Sequence, residues 1–438
     1  MKITLSAFLL FTSVALFAQQ KWSLQQCIDY AIEHNLQIKS NELNRDIQEK
    51  NKEIAQKEKL PSVSGNFSNN LSFGQQRYVN LVQRNDNFNN SANVSADILV
   101  YNNGRLEKSI RRNQLELQAS MLDVESTRDD ILVQIASQYL TVLLNKEIVQ
   151  INKSALENAQ RLYDRAKITT EVGTTAQTVL AEAESGLARE KQNVISSEIN
   201  VKRSLFSLAQ LLQLQEYKDF DIVNVEISET LSSPIYTADQ IIATAYSQRP
   251  EIKAAQYRIQ AAKEQTEITK TAFYPTISAS AGIGTFYFNQ LNQGNDTGFF
   301  KQYSDNFGQQ LGLSANIPIF SKGITKLQVE QSKINELVSE NNLELQKQQV
   351  LQNVQQAQFD AESNYEVYQA AIQAEKSSAL ALDFAEKSYE GGRATIYDLT
   401  NARNNHANAM GSMAQAKYNY VFSLKLLNFY AGVPITLN

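Results

Sequence analysis

Cysteine, proline, histidine and tryptophan are almost absent from this 438-residue chain, and most of these shortages exclude something. The single cysteine, Cys27, rules out an intrachain disulfide. Two histidines, His34 and His406, are too few for a histidine-rich metal site. No Ser/His/Asp set, phosphate-binding glycine loop or metal-ligand spacing is present, so the sequence predicts no catalysis, no cofactor and no resident metal. Six prolines and 16 glycines leave long stretches without a breaker, which favours long helices over an ordinary globule. A net charge of −5 with dispersed basic residues gives no footprint for nucleic acid. After residue 18 no stretch is apolar enough to span a bilayer as a helix, so any insertion there must be β.

What is present begins with a short basic start at Lys2, then an apolar run from Leu5 to Ala18 ahead of Gln19. This pattern predicts a secretory signal over 1–18, cleaved after Ala18, because the run is shorter than the roughly 18–20 apolar residues of a spanning helix. Leu24-Gln-Gln-Cys27 lacks the small residues of a lipid-attachment site.

Two strand pairs then stand out from an otherwise helical chain. Ile277, Ala279, Ala281 and Ile283 alternate with Ser278, Ser280, Gly282 and Gly284, and the alternation resumes over Leu311–Phe320. The earlier copy has Val63, Phe67, Leu71 and Phe73 at odd positions with Ser, Asn or Gly between them. Its returning strand sets Ala92, Val94, Ala96, Ile98 and Val100 against Asn93, Ser95 and Asp97. A period of two with one apolar and one small polar side describes strands that separate two different solvents.

Around these pairs the chain reads as a duplication. The first copy, 19–218, comprises one helix capped at Ser23 and ended by Pro61, strand pair 61–101 and a long helical hairpin over 105–218. An irregular insert follows over 219–237. The second copy, 238–430, repeats the plan with strand pair 275–320 and a hairpin over 324–430, leaving a tail at 431–438. Pro61 matches Pro275 at an offset of 214, whereas Gly104 matches Gly323 and Gly173 matches Gly392 at 219. The second outer loop is therefore five residues longer, and the long helices have equal length in both copies.

Four strands cannot close a barrel, and open edges cannot survive in lipid, where each unpaired backbone group costs several kcal/mol. Known outer-membrane barrels start at about eight strands, and eight leave an interior filled by side chains. A water-filled lumen thus favours three or more chains sharing one barrel. Phe73, Tyr101, Phe286, Tyr287, Phe288, Phe307 and Phe320 lie toward the strand ends, where interfacial aromatics belong. The competing reading is a periplasmic coiled-coil scaffold or adaptor with no pore.

The strand exits Ile317-Pro-Ile-Phe-Ser-Lys-Gly323 and Ile98-Leu-Val-Tyr-Asn-Asn-Gly104 resemble those of the TolC-like outer-membrane efflux family. So do Tyr389-Glu-Gly-Gly-Arg-Ala-Thr-Ile-Tyr-Asp-Leu399, the run Tyr418–Leu426 and the opening helix Ser23–Leu36. The resemblance implies a homotrimer with a twelve-stranded barrel in outer-membrane lipid, an α-helical tunnel crossing the periplasm, and a belt built from the insert. It also implies a periplasmic adaptor on the hairpin tips, linked to an inner-membrane pump. Asp398 matches an acidic ring at the periplasmic constriction of the family, and Asn401 stands where many relatives carry a second acid. From the residues alone, Thr395 and Asp398 equally describe a helix capping box. Val179 is the first-copy equivalent of Asp398, and Arg393 lies one position from an arginine that relatives use to tie the closed aperture. Gly173, Gly391 and Gly392 read as turn glycines, with Val172, Thr174, Arg393 and Ala394 around them as the candidate docking surface.

Overall fold

The chain forms α1 (Leu24–His34), α2 (Leu36–Lys57), β1 (Ser62–Ser72), β2 (Gln75–Tyr78), β3 (Leu81–Arg84), β4 (Asn87–Tyr101), α3 (Arg105–Glu171) and α4 (Gln177–Leu211). There follow α5 (Ala238–Gln248), α6 (Pro250–Lys270), β5 (Thr276–Gln290), α7 (Phe299–Asp305), β6 (Gly308–Asn316), α8 (Ile324–Glu390) and α9 (Ile396–Tyr430). The structure is a computed structural model describing residues 21–79, 81–225, 227, 233, 238–292 and 297–436. The expected signal segment lies outside the described residues, as do much of the later half of the 219–237 insert and the last two residues of the tail.

The duplication extends to backbone conformation. Both long helices have 67 residues and both return helices 35. Asn103, Gly104, Gly173 and Gln213 have positive φ, and so do Lys322, Gly323, Gly392 and Gly432, each 219 residues later. Only glycine adopts this region without steric cost, so Gln213 and Lys322 hold conformations that their own side chains disfavour.

Several boundaries differ from the sequence expectation. The opening helix is two helices, because Asn35 is extended and its side chain accepts from the amides of Gln37 and Ile38, starting α2 afresh. The second copy breaks at the matching place, between Gln248 and Pro250, and proline suits a first helical turn. The return helix of the first copy ends at Leu211 rather than near Lys218. β6 ends at Asn316 rather than 320, ahead of Pro318, which has no amide to donate to a ladder. The first outer loop carries the hairpin β2–β3, and the second carries α7.

The described residues fall into two compact units. One draws on Asn41–Val124 and Pro250–Gln346 and contains an antiparallel sheet in the order β1-β4-β5-β6. β4 pairs with β5, so the two copies meet at the centre and β1 and β6 are left as edges. Val63, Ala96, Ala281 and Leu311 lie opposite one another on the apolar face; Ser64, Ser95, Gly282 and Gln310 do so on the polar one. Hydroxyl pairs at Ser64–Ser95, Ser68–Ser91 and Ser278–Ser314 run along the polar face. A bulge between Leu99 and Tyr101 puts Tyr101 opposite Ile277, so Val100 drops out of the expected apolar row. The ladder also corrects the aromatic assignment. Tyr287 is on the apolar face opposite Asn90, whereas Phe286 and Phe288 lie opposite Ser91 and Asn89 on the polar face.

Beyond the last β5–β6 pair, α7 takes over the free edge of β5. The Gln302 side chain accepts from Phe288 N at 3.0 Å and donates to Phe288 O at 3.1 Å, and Asn306 donates to Phe286 O at 2.8 Å. Buried Asp86 ties the first outer loop to the second. Its carboxylate accepts from Gly74 N and Arg84, and its carbonyl accepts from Leu291 N.

The other unit draws on the described residues within 21–40, 125–249 and 347–436 and is largely helical. Ile135, Tyr139, Leu208, Leu212 and Ile222 are fully buried there, each burial worth roughly 2 kcal/mol. Tyr139 also donates from its hydroxyl to the carbonyls of Val223 and Trp22, and Lys146 reaches Asp221, Ile222 and Asn224. The described start of the insert is thereby pinned to α3. Its regular structure there is a single bridge between Trp22 and Ile222.

Candidate functional site

The two hairpin turns are built alike. In the first, Gly173 N reaches Thr170 O and Thr174 N reaches Thr169 O; in the second, Gly392 N reaches Tyr389 O and Arg393 N reaches Ser388 O. A positive-φ glycine with a six-to-one bond is a standard helix C-cap, and it satisfies carbonyls that would otherwise be orphaned. Gly391 does not share this conformation. It has ordinary φ, and an added Cβ would stand 3.4 Å from Lys387 O, so the expectation of a left-handed glycine holds at 173 and 392 but not at 391.

The starts of the return helices differ. Ala176 precedes α4 with no side-chain cap, while Thr169, Thr170, Thr174 and Thr175 form a hydroxyl cluster around that turn. Thr395 and Asp398 form a full capping box on α9: Asp398 N donates to Thr395 Oγ1, and the carboxylate accepts from Thr395 N at 2.9 Å and Oγ1 at 2.7 Å. Those bonds, the hydroxyl first, hold the Asp398 carboxyl below the usual carboxylate range.

Below the turns the hairpins meet. Ala166, Ala183 and Ile396 form a small buried cluster, with Leu162, Val179, Leu180 and Tyr389 packed against it. The equivalents Val179 and Asp398 therefore serve different ends: Val179 packs inward, and Asp398 is exposed with its carboxylate on its own cap. Asn401 is exposed one turn further along α9. Val172 is 69 % and Tyr397 70 % exposed, Gly173, Thr174, Gly391, Gly392 and Arg393 are exposed, and Ala394 is half-buried. The turns thus present two exposed apolar side chains on fixed frames.

A cavity of about 690 Å³ lies among α3, α4, α8 and α9 behind the tips. Arg403 enters it from α9, bonds Glu386 at 2.8 Å and reaches Asn158 O, and Arg165 stacks over the Tyr389 ring. These arginines escape a sequence reading, because their partners lie 17 or more residues away on other helices. Among the described residues no group of His, Cys, Asp or Glu is arranged to hold a metal ion, and no helix is long and apolar enough to cross a membrane.

Comparison with known proteins gives consistent matches. The family model described as "Outer membrane efflux protein" matches residues 27–213 and 241–433. Outer membrane protein TolC of Escherichia coli is 25 % identical over 70 % of this chain, which spans 63 % of that relative. The outer membrane efflux protein BepC of Brucella suis is 23 % identical over 91 % of this chain and 83 % of its own length. Among solved structures, VceC of Vibrio cholerae superposes with a TM-score of 0.74 at 19 % identity, covering 93 % of this chain and 96 % of that one. The CmeC outer membrane channel of Campylobacter jejuni gives 0.72 at 20 % identity, covering 93 % and 85 %.

Proposed function

From the premise that the chain belongs to the outer membrane efflux protein family, and is an outer-membrane protein with the TolC-like fold, we propose that it is the exit duct of a tripartite export system. Three copies share a twelve-stranded barrel in the outer membrane, and the helices of each copy contribute to a periplasmic tunnel. The duct is passive and opens when a periplasmic adaptor, coupled to an inner-membrane pump, engages the tips. One observation carries this reading. A sheet with two open edges, one apolar face and one polar face belongs to a chain with no membrane-spanning helix among its described residues. Such edges require partners in lipid, and copies of the same chain supply them.

The protein mass of the detergent-extracted assembly, measured by light scattering and corrected for bound detergent, tests this. Three copies are expected; a monomer that stays soluble after detergent removal would sink the shared barrel.

Asp398 and Asn401 then form the periplasmic gate, and Val172, Gly173, Thr174, Gly391, Gly392, Arg393 and Ala394 the docking surface. Gly392 offers the sharpest test there, since its φ of +70° is strained for any side chain. Gly392→Val is expected to abolish most export while trimers still assemble, whereas Gly391→Ala keeps near-normal export. Equal export by both variants would remove the turn geometry from docking.

A further inference from the structure

Phe286 and Phe288 are the unexplained residues of the polar sheet face. Elsewhere this face is built from Ser, Asn, Gly, Gln, Thr276 and Asp97 along the four strands, with Leu99, beside the bulge at the opposite end of the sheet, as its other large apolar side chain. Phe286 stands opposite Ser91, which shares a hydroxyl contact of 2.7 Å with Ser68, and Phe288 stands opposite Asn89, itself paired with Asn70. Their exposures are 49 % and 43 %. They sit at the outer end of β5, past its last pair with β6 and far from Thr276, where the strand leaves the helices. The first copy carries Ser72 and Gly74 at the equivalent positions, so the aromatic pair belongs to one copy alone. α7 fixes the frame that presents it, through Gln302 on the amide and carbonyl of Phe288 and Asn306 on the carbonyl of Phe286.

The lipid-side aromatics are a separate group. Phe88, Tyr287, Phe299 and Tyr303 contact one another in sequence, and Phe88 and Tyr287 project from the apolar face. They account for an interfacial girdle without help from the polar-face pair.

We propose that Phe286 and Phe288 form an aromatic collar just inside the outer mouth of the duct, a contact site for organic cations and aromatic solutes in transit. This rests on the channel reading above, under which three copies set six rings around one axis. A large ring exposed on a water-filled wall gains little from water. Its π-face attracts an organic cation and stacks on a flat apolar solute, whereas small hydrated ions keep their water. Rings on a braced strand hold that arrangement better than rings on a free loop.

Two measurements on the full-length protein test the collar. First, Phe288→Cys is treated with a charged, bilayer-impermeant maleimide. Cys27 stays in place because it is buried and burial pushes its thiol up to about 12, leaving it unreactive. Labelling of the variant and not of the wild type is expected; an assembled but unlabelled variant would place the side chain in lipid and overturn the collar. Second, tetraphenylphosphonium is added on the outer side of single channels in a planar bilayer. Block of Phe286→Ser/Phe288→Ser is expected to need about tenfold more cation than block of the wild type. If the serine pair fails to assemble, Phe286→Leu/Phe288→Leu keeps apolar bulk without a ring and is expected to show the same shift. Unchanged block overturns the collar but leaves the channel intact. Absence of any wild-type current overturns the channel reading, and the collar with it.

Discussion

Asp398→Asn is expected to raise the resting conductance several-fold and to lower the preference of the channel for cations. Under the proposed trimeric channel, three carboxylates would converge on one axis, where they would repel anions and hold counter-cations in the aperture. Neutralising them frees the aperture for both signs. Asparagine rather than alanine is the informative substitution, because Asp398 also closes the capping box with Thr395. An Asn amide oxygen still accepts from Thr395 N, so the charge goes while the helix start stays. Thr395→Ala is the complementary control, weakening the box and keeping the charge. Conductance that rises in Thr395→Ala but not in Asp398→Asn would assign the effect to fraying of α9. The pH dependence follows from the depressed carboxyl. The cap stabilises the tip at pH above the unfolded value of the carboxyl and is lost as pH falls through the lower folded value. Wild type and Asp398→Asn therefore differ at neutral pH and converge in strong acid.

Lys417→Met is expected to destabilise the helical unit by about 3 kcal/mol, the scale for removing one partner of a buried pair. Lys417 on α9 is 7 % exposed in its side chain and bonds both carboxylate oxygens of Glu147 on α3, at 2.7 and 2.8 Å; Glu147 is 29 % exposed. The ammonium also lies 5.1 Å from the Tyr418 ring. Burial first, and then the Glu147 charge, push the neighbouring Tyr418 hydroxyl upward. Without the lysine, Glu147 is left half-buried beside the Tyr418 hydroxyl with its ion-pair partner gone. The double variant Lys417→Met/Glu147→Gln removes that stranded carboxyl and should recover most of the loss. Thermal unfolding of the detergent-solubilised protein, followed by helical circular dichroism, reads both. A single variant that melts with the wild type would show that the pair contributes nothing net.

The long-range plan of the fold is legible in the sequence where a feature repeats. Alternation with period two marks Val63–Leu71 and Ile277–Ile283, and counting from Gly104 to Gly323 and from Gly173 to Gly392 gives equal helices. Parity counted from Ile277 places Phe286 and Phe288 with Ser278 and Ser280, but an aromatic run such as Phe286-Tyr-Phe288 does not report whether the phase is kept. The ladder opposite Ser91 and Asn89 shows that it is, and that partner lies some 200 residues away. α7 escapes because its seven residues show no usable period and Gly298 gives no side-chain cap. At the tips, Thr395 and Asp398 can be read from spacing because a capping box is local. The Arg403–Glu386 contact cannot, since it needs α8 and α9 folded side by side. Gly391 and Gly392 look alike as letters and differ in φ, which no local pattern reports.

The matched 67-residue helices have a consequence for how such a chain can change. One inserted residue would advance everything beyond it by about 1.5 Å and turn it by about 100°, sending a packed stripe into water and a polar one into the core. Neither copy can drift in length unless the other drifts with it, so mutation in these segments is confined to exchanging letters. Between strand entry and hairpin tip the two copies differ in length at the far end of the strands, where the second outer loop is five residues longer. The chain behaves as a pair of rulers cut to one measure, with its growth confined to the outer rim.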